Sequence, residues 1–169
     1  MEAIEHFNHA SVILDSIQDA YHKAVVLVNI ANTNYRSNKY EAIIALLLHA
    51  ENIFSQSADY QNLARLYILW GLTCDKLDKL EESERKLLTA IDYYQKIGDF
   101  ALEINAVDAL AKNYIRRHKT TDAITLLRQC NTKLAMISTH PMYATLQKLI
   151  EQDLNVAEAS QGNMVSSLD

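Results

Sequence analysis

The sequence is poor in residues that form turns and in residues that carry chemistry. Among 169 residues there are three glycines, one proline, two cysteines and one tryptophan. A β-rich fold needs turn residues about every ten positions, so this shortage favours helices joined by short loops. The sequence also contains no glycine-rich phosphate loop, no nucleophile elbow and no His-Glu zinc helix, and these absences argue against an enzyme.

Long apolar runs and an excess of positive charge are missing as well. No apolar segment is long enough to cross a bilayer, and the first ten residues, MEAIEHFNHA, are acidic rather than signal-like. We therefore expect a cytoplasmic protein whose two cysteines are reduced thiols. The formal net charge of −5 argues against binding to a phosphate backbone, so nucleic acid is not an expected partner. A membrane is not an expected partner either, because the long apolar run is missing.

The sequence does contain an internal repeat. Shifting the chain by 40 positions aligns apolar and small residues without any gap. One aligned series pairs a large residue with a small one: Ile30 with Ala31, Trp70 with Gly71, and Leu110 with Ala111. A second series is small throughout: Ala10, Ala50, Ala90 and Cys130. A repeat of this length, kept in register, indicates a helical solenoid.

Each unit is predicted to contain two helices, because apolar residues recur three and four positions apart in both of its halves. The break between the halves contains Asn38, Asp78 or His118, residue types that tolerate the left-handed backbone of a helix end, and Gly98 suits the end of a second helix. Aspartates at one position of each unit suit helix N-caps: Asp19, Asp59 and Asp99. The predicted map has a lone helix at 1–17, pairs at 20–57, 60–97 and 100–137, a capping helix at 141–157 and a mobile tail at 158–169.

These spacings resemble the tetratricopeptide repeat, or TPR. The large-small pair matches the first helix of that motif, and the small series ending at Cys130 matches the second. The match is incomplete, since Ile43 occupies a site where a small residue is usual and only Tyr114 supplies the aromatic expected in the first helix. The 40-residue unit is similar to arrays in bacterial regulators and cell-polarity scaffolds. The resemblance implies an all-α, right-handed solenoid of antiparallel pairs, with about eight helices.

The resemblance also implies a binding surface, because the first helices of such arrays line a concave groove. Carrying that face onto this chain gives twelve residues: Val28, Asn32, Tyr35, Arg65, Ile68, Leu72, Asp75, Asn105, Asp108, Lys112, Ile115 and Arg116. We expect non-enzymatic binding of a protein segment or peptide there, with apolar side chains supplying affinity and Asn32, Asn105, Arg65 and Lys112 fixing the register. A chaperone-type carboxylate clamp is not expected, because only Asn32 would match it and Val28 stands where a lysine is usual.

Two alternative functions stay open. The chain begins inside a unit, since EAIEHFNHA matches a second helix with no first helix before it. That start would suit a peptide-sensing domain cut from a larger bacterial signalling or transcription regulator. The uncovered ends of a solenoid would also suit a scaffold that self-associates into a homo-oligomer.

The rarest residues are expected to be structural. The repeat replaces the Trp70–Gly71 pair by aliphatic pairs, so Trp70 is expected to fill space between helices. Cys74 and Cys130 fall at positions that face other helices and are expected to act as small apolar residues. His6 and His9 share one predicted helix face, but two ligands do not complete a site, so no metal and no cofactor is expected.

Overall fold

The chain folds into a row of α-helices, seen here in a computed structural model that describes His9, Val12 and residues 19–166, with side chains up to Gln161. The helices are α1 (Ala20–Arg36), α2 (Ile43–Gln56), α3 (Tyr60–Lys76), α4 (Leu80–Ile97), α5 (Phe100–Arg116), α6 (Thr120–Met136) and α7 (Tyr143–Ser166). No strand occurs within this described part of the chain. The helix predicted for residues 1–17 lies outside the described residues, apart from His9 and Val12.

Left-handed residues mark the helix ends at a regular interval. Positive φ occurs at residues 38, 58, 78, 98 and 118, one every 20 positions. The predictions for Asn38, Asp78, Gly98 and His118 are confirmed, whereas Ala58 was not predicted. After each of these residues, the next amide donates to the carbonyl five positions back, as Lys79 does to Cys74 at 2.9 Å. This bond satisfies a carbonyl that the helix itself leaves unpaired.

Aspartates begin the first helix of each pair, as the sequence predicted. The side chains of Asp19, Asp59 and Asp99 each accept a hydrogen bond at 3.0 Å from the amide three positions later. These bonds satisfy backbone donors at the helix start and set the phase of α1, α3 and α5. The helices therefore begin and end at fixed positions, and each presents the same face from one unit to the next.

The helices pack in two layers. The first helices α1, α3, α5 and α7 each contact the next first helix, while α2, α4 and α6 pack against the two first helices that flank them in sequence. The core runs along the interface of the layers and includes Phe54, Trp70, Leu87 and Leu127. Since the first helices touch one another directly, their outer faces form one continuous surface.

The last described helix, α7, is longer than predicted. Leu146, Ile150 and Ala157 of α7 are buried against the preceding pair, while Lys148 and Gln152 are exposed on its other side. The sequence prediction ended this helix at 157, but it continues to Ser166, and Gln161 donates to the Thr121 hydroxyl at 3.2 Å. The mobility predicted for residues 158–169 stays a prediction.

None of the helices in the described residues combines the length and the apolar character needed to cross a membrane.

Candidate binding groove

A cavity of about 400 Å³ opens on the layer of first helices, between α1 and α3. Six of the twelve predicted groove residues line it: Val28, Asn32, Tyr35, Arg65, Ile68 and Leu72. The repeat places these side chains there because α1 and α3 begin at equivalent N-caps and so expose equivalent faces. The prediction of a shared face on these two helices therefore agrees with the geometry, although binding itself remains a prediction.

The cavity is also lined by five described residues that were not predicted from the sequence: Asn29, Arg36, Leu69, Tyr94 and Leu102. Asn29, Arg36 and Leu69 lie three or four positions from predicted residues on the same helices, so helical spacing alone could have found them. Tyr94 comes from α4 and Leu102 from α5, and no local sequence signal indicates that they reach the groove. They close the cavity on the side of the next unit.

The walls of the cavity are mainly apolar. Val28, Ile68 and Leu72 are half-buried, so part of each side chain faces solvent and is available to a partner. Tyr94 is almost fully buried, and this burial raises the pKa of its phenol to about 12, although the positive charge of Arg65 acts in the opposite direction. The Tyr94 hydroxyl therefore stays neutral at physiological pH and adds a donor without adding a charge.

The charged groups of the cavity are two arginines without acidic partners. Arg36 and Arg65 are both exposed, and neither forms an ion pair or a side-chain hydrogen bond with another described residue. Among the described residues that line the cavity, none is an aspartate or a glutamate. In a protein whose net charge is −5, this leaves a local excess of positive charge beside an apolar wall and two asparagines.

The other six predicted residues lie outside this cavity, and their charges are engaged within the protein. Asp75 accepts from the Asn113 amide at 2.8 Å, and Arg116 donates to the Asp75 carbonyl at 2.7 Å and to the Asp78 carboxylate at 3.0 Å. Lys112 donates to Asp108 at 2.7 Å. Asn105 is half-buried, and Ile115 packs against the core of the last units. Within the described part of the chain, the groove therefore has one half whose arginines are unpaired and one half whose charged side chains are paired.

The single tryptophan belongs to the core, as the repeat predicted. Trp70 is buried beside Phe54 and stacks on Tyr67 with ring centroids 6.2 Å apart. The Lys86 ammonium lies 3.5 Å from the centroid of the indole ring. Its position outside the cavity means that Trp70 contributes to stability rather than to the groove surface.

The two cysteines are buried free thiols. Burial raises the pKa of Cys74 to about 11 and that of Cys130 to about 12, so both are protonated at neutral pH. A protonated, inaccessible thiol is a poor nucleophile and a poor metal ligand.

Among the described residues, no three His, Cys, Asp or Glu side chains are grouped closely enough to hold a metal ion. His6, which the sequence paired with His9, lies outside the described residues.

Comparison with known proteins identifies the fold. No family model matches the sequence, and no curated protein matches it either. Among solved structures, the chain is similar to the crystal structure of nearly identical TPR-like repeats assigned to a kinesin light chain of Podosopora anserina. The TM-score is 0.75 at 15% sequence identity, and the match covers 99% of this chain and 81% of that chain. The predicted all-α repeat architecture is confirmed: the chain has the TPR-like helical-repeat fold.

Proposed function

We propose that this chain is a non-enzymatic binding module that holds a protein segment or peptide in the groove between α1 and α3. TPR-like folds generally act in protein–protein interaction and are typically not enzymes, because their stacked helices present long preformed surfaces rather than enclosed sites. The observation that carries the proposal is the cavity of about 400 Å³, in which apolar walls adjoin two arginines that have no ion pair with any described residue.

The chemistry of the cavity selects its occupant. The exposed amides of Asn29 and Asn32 can each donate to and accept from a peptide backbone, which suits an extended segment. The half-buried Ile68 and Leu72 suit an apolar side chain of that segment. Arg36 and Arg65 can bind a carboxylate through paired N–H donors, so an acidic group close to the apolar side chain completes the match. The proposed occupant is therefore an extended segment that carries an acidic side chain close to an apolar one.

The groove is proposed to work without a large change in shape. Its residues lie on two helices whose starts are fixed by Asp19 and Asp59, and a rigid backbone reduces the entropy lost on binding. Among the remaining groove residues, the charged ones are engaged in ion pairs or hydrogen bonds within the array: Asp75, Asp108, Lys112 and Arg116. They extend the surface, but each of these side chains must break its present contact before it can bind a ligand. We therefore assign affinity mainly to the half that holds Arg65.

The test is binding of a displayed library of ten-residue peptides by the parent and by the double variant Asn32→Ala/Arg65→Ala. We expect at least a tenfold loss of affinity, because a hydrogen bond to a charged group contributes about 1.5–3 kcal/mol. The matched control is Asn52→Ala/Arg85→Ala, which removes the same residue types from exposed positions on α2 and α4. Equal binding by the parent and the groove variant would contradict the assignment of peptide binding to this groove.

The scaffold alternative is tested by light scattering over a range of concentrations. The outer side of α7 carries exposed polar residues such as Lys148 and Gln152, and a polar outer face is typical of a helix that caps a solenoid. We therefore expect a constant monomer mass when the chain is diluted or concentrated. A mass that rises with concentration would instead favour self-association.

A further inference from the structure

Two aspartates and one lysine connect the capping helix to the repeats. The Lys112 ammonium on α5 lies 2.7 Å from Oδ2 of Asp108 on the same helix and 3.1 Å from Oδ2 of Asp153 on α7. The Asp108 side chain is 8% exposed and the Asp153 side chain 15% exposed, whereas Lys112 is half exposed. The cluster therefore places two carboxylates in a largely buried interface, with one ammonium at its solvent side.

The cluster is short of positive charge and of hydrogen-bond donors. With both carboxylates ionised, a single ammonium leaves one negative charge uncompensated, and a buried charge without a partner is costly. Oδ1 of Asp108 is buried and accepts no hydrogen bond, and the same holds for Oδ2 of Asp153, whose contact with Lys112 lacks hydrogen-bond geometry. A proton on one carboxyl group would neutralise the excess charge and provide an O–H donor for the other group.

The surroundings favour this proton. Burial raises the pKa of Asp108 from 3.8 to about 7; the neighbouring carboxyl group of Asp153 acts in the same direction, and Lys112 acts against it. From α6, Cys130 also faces Asp108, and its raised pKa keeps the thiol neutral.

Two other cations near the interface of α5 and α7 are already paired. Lys133 of α6 is bound by Glu103, and Arg128 of α6 donates to Glu158 of α7 at 2.9 Å, so neither of these cations supplies a counter-charge to the cluster.

We propose that Asp108 and Asp153 share one proton while α7 is docked, so that release of this proton weakens the attachment of α7 to the repeats. The two carboxyl groups lie at the interface of α5 and α7, next to the half of the groove in which the charged side chains are paired. It goes beyond the binding proposed for the groove between α1 and α3 and does not depend on it.

The direction of the effect follows from the pKa of Asp108. That pKa is higher in the docked state than in a solvated state, so the stability contributed by the proton is fully present below about pH 4. It is lost as the pH rises through about 7. Undocking of α7 would expose the apolar side chains of Leu146 and Ile150 and the surface of α5 and α6 that they cover. The end of the array would then offer a new apolar surface on the alkaline side of neutrality.

The test is hydrogen exchange of the full chain from pH 5.5 to pH 8.5, corrected for the intrinsic exchange rate at each pH. The measured quantity is the opening constant of amides in α7 relative to that of amides in α3. We expect this ratio to rise about tenfold or more between pH 5.5 and 7.5, since one pKa unit corresponds to a tenfold change in the equilibrium. A ratio that stays flat over this range in the parent protein overturns the proposal.

Two neutral variants separate the shared proton from a general effect of pH. Asp108→Asn and Asp153→Asn each replace a carboxylate by an amide, so the ratio in either variant should no longer depend on pH and should stay low at pH 8.5. The control Glu158→Gln removes an exposed ion pair of α7 and should keep the pH dependence of the parent. Persistence of that dependence in both Asn variants overturns the proposal. If circular dichroism shows that Asp108→Asn does not fold, Asp153→Asn alone decides.

Discussion

Gly71 on α3 packs so closely against Leu87 on α4 that a Cβ atom at Gly71 would lie 2.6 Å from Leu87 Cγ and 2.8 Å from its Cδ2. Leu87 is fully buried, so its side chain has little room to move aside. The close approach of these two helices therefore requires a residue without a side chain at this position. This contact explains why the small member of the large-small pair is a glycine in the middle unit.

Gly71→Ala is expected to destabilise the protein. Overpacking a core costs about 1–3 kcal/mol, and the better helix propensity of alanine offsets about 0.5–1 kcal/mol of this. The net loss should be measurable as a lower urea midpoint with an unchanged slope. In the double variant with Leu87→Ala, the loss should be smaller than the sum of the two single losses. An additive result would show that the two residues do not compete for the same space.

Ala58→Gly is expected to stabilise the protein, whereas Gly98→Ala should destabilise it. Ala58 has a φ of 52° and Gly98 a φ of 72°, at equivalent ends of α2 and α4. The left-handed conformation costs a residue with a side chain about 1–2 kcal/mol, and the extra entropy of glycine in the unfolded chain recovers only part of this difference. Thermal unfolding of both variants measures the effect. Shifts of the same sign would contradict the explanation.

The pair formed by Lys86 and Trp70 is expected to contribute to stability. A lysine ammonium above an indole ring adds about 0.5–2 kcal/mol, depending on exposure. Lys86→Met keeps most of the aliphatic chain and removes the charge, so the loss should mainly reflect the interaction with the ring. A double-mutant cycle with Trp70→Phe isolates the coupling energy. Lys96→Met serves as the control, because Lys96 is exposed and its ammonium lies 5.2 Å from the Tyr93 ring, so a smaller effect is expected.

Neither cysteine should react with alkylating reagents while the protein is folded. The raised pKa values of about 11 for Cys74 and about 12 for Cys130 leave almost no thiolate at pH 8, and both side chains are inaccessible. Mass spectrometry after brief treatment with iodoacetamide should detect no modification of either thiol in buffer and modification of both in urea. Rapid labelling of either thiol in buffer would show that its helix opens readily.

The architecture was predictable because its signals are local and recur. The aspartate caps, the left-handed Asn38 and Asp78 and the large-small pair each depend on a few neighbouring residues, and the repeat shows each signal several times. Ala58 escaped prediction because nothing in an alanine side chain favours a left-handed backbone. Its conformation is imposed by the helices on both sides of the link.

The groove was only partly predictable because charge pairing depends on distant residues. Arg36 and Arg116 occupy the same position of their units, yet Arg36 is unpaired among the described residues while Arg116 contacts Asp75 and Asp78 from the preceding unit. In the same way, Asp153 of α7 engages Lys112 through a contact that spans 41 positions of the chain. Helical spacing assigns a residue to a face, but it does not reveal whether that residue is free to bind.

The regular interval of 20 positions between left-handed residues bears on how such a chain can change in length. Two intervals make one complete unit, so recombination between equivalent points of two units would add or remove a whole helix pair. Every cap and every link would stay intact, and the new neighbours would meet through the same faces as the old ones. Unequal crossing-over in the gene could therefore lengthen or shorten the groove in steps of one unit while leaving the capping helix in place.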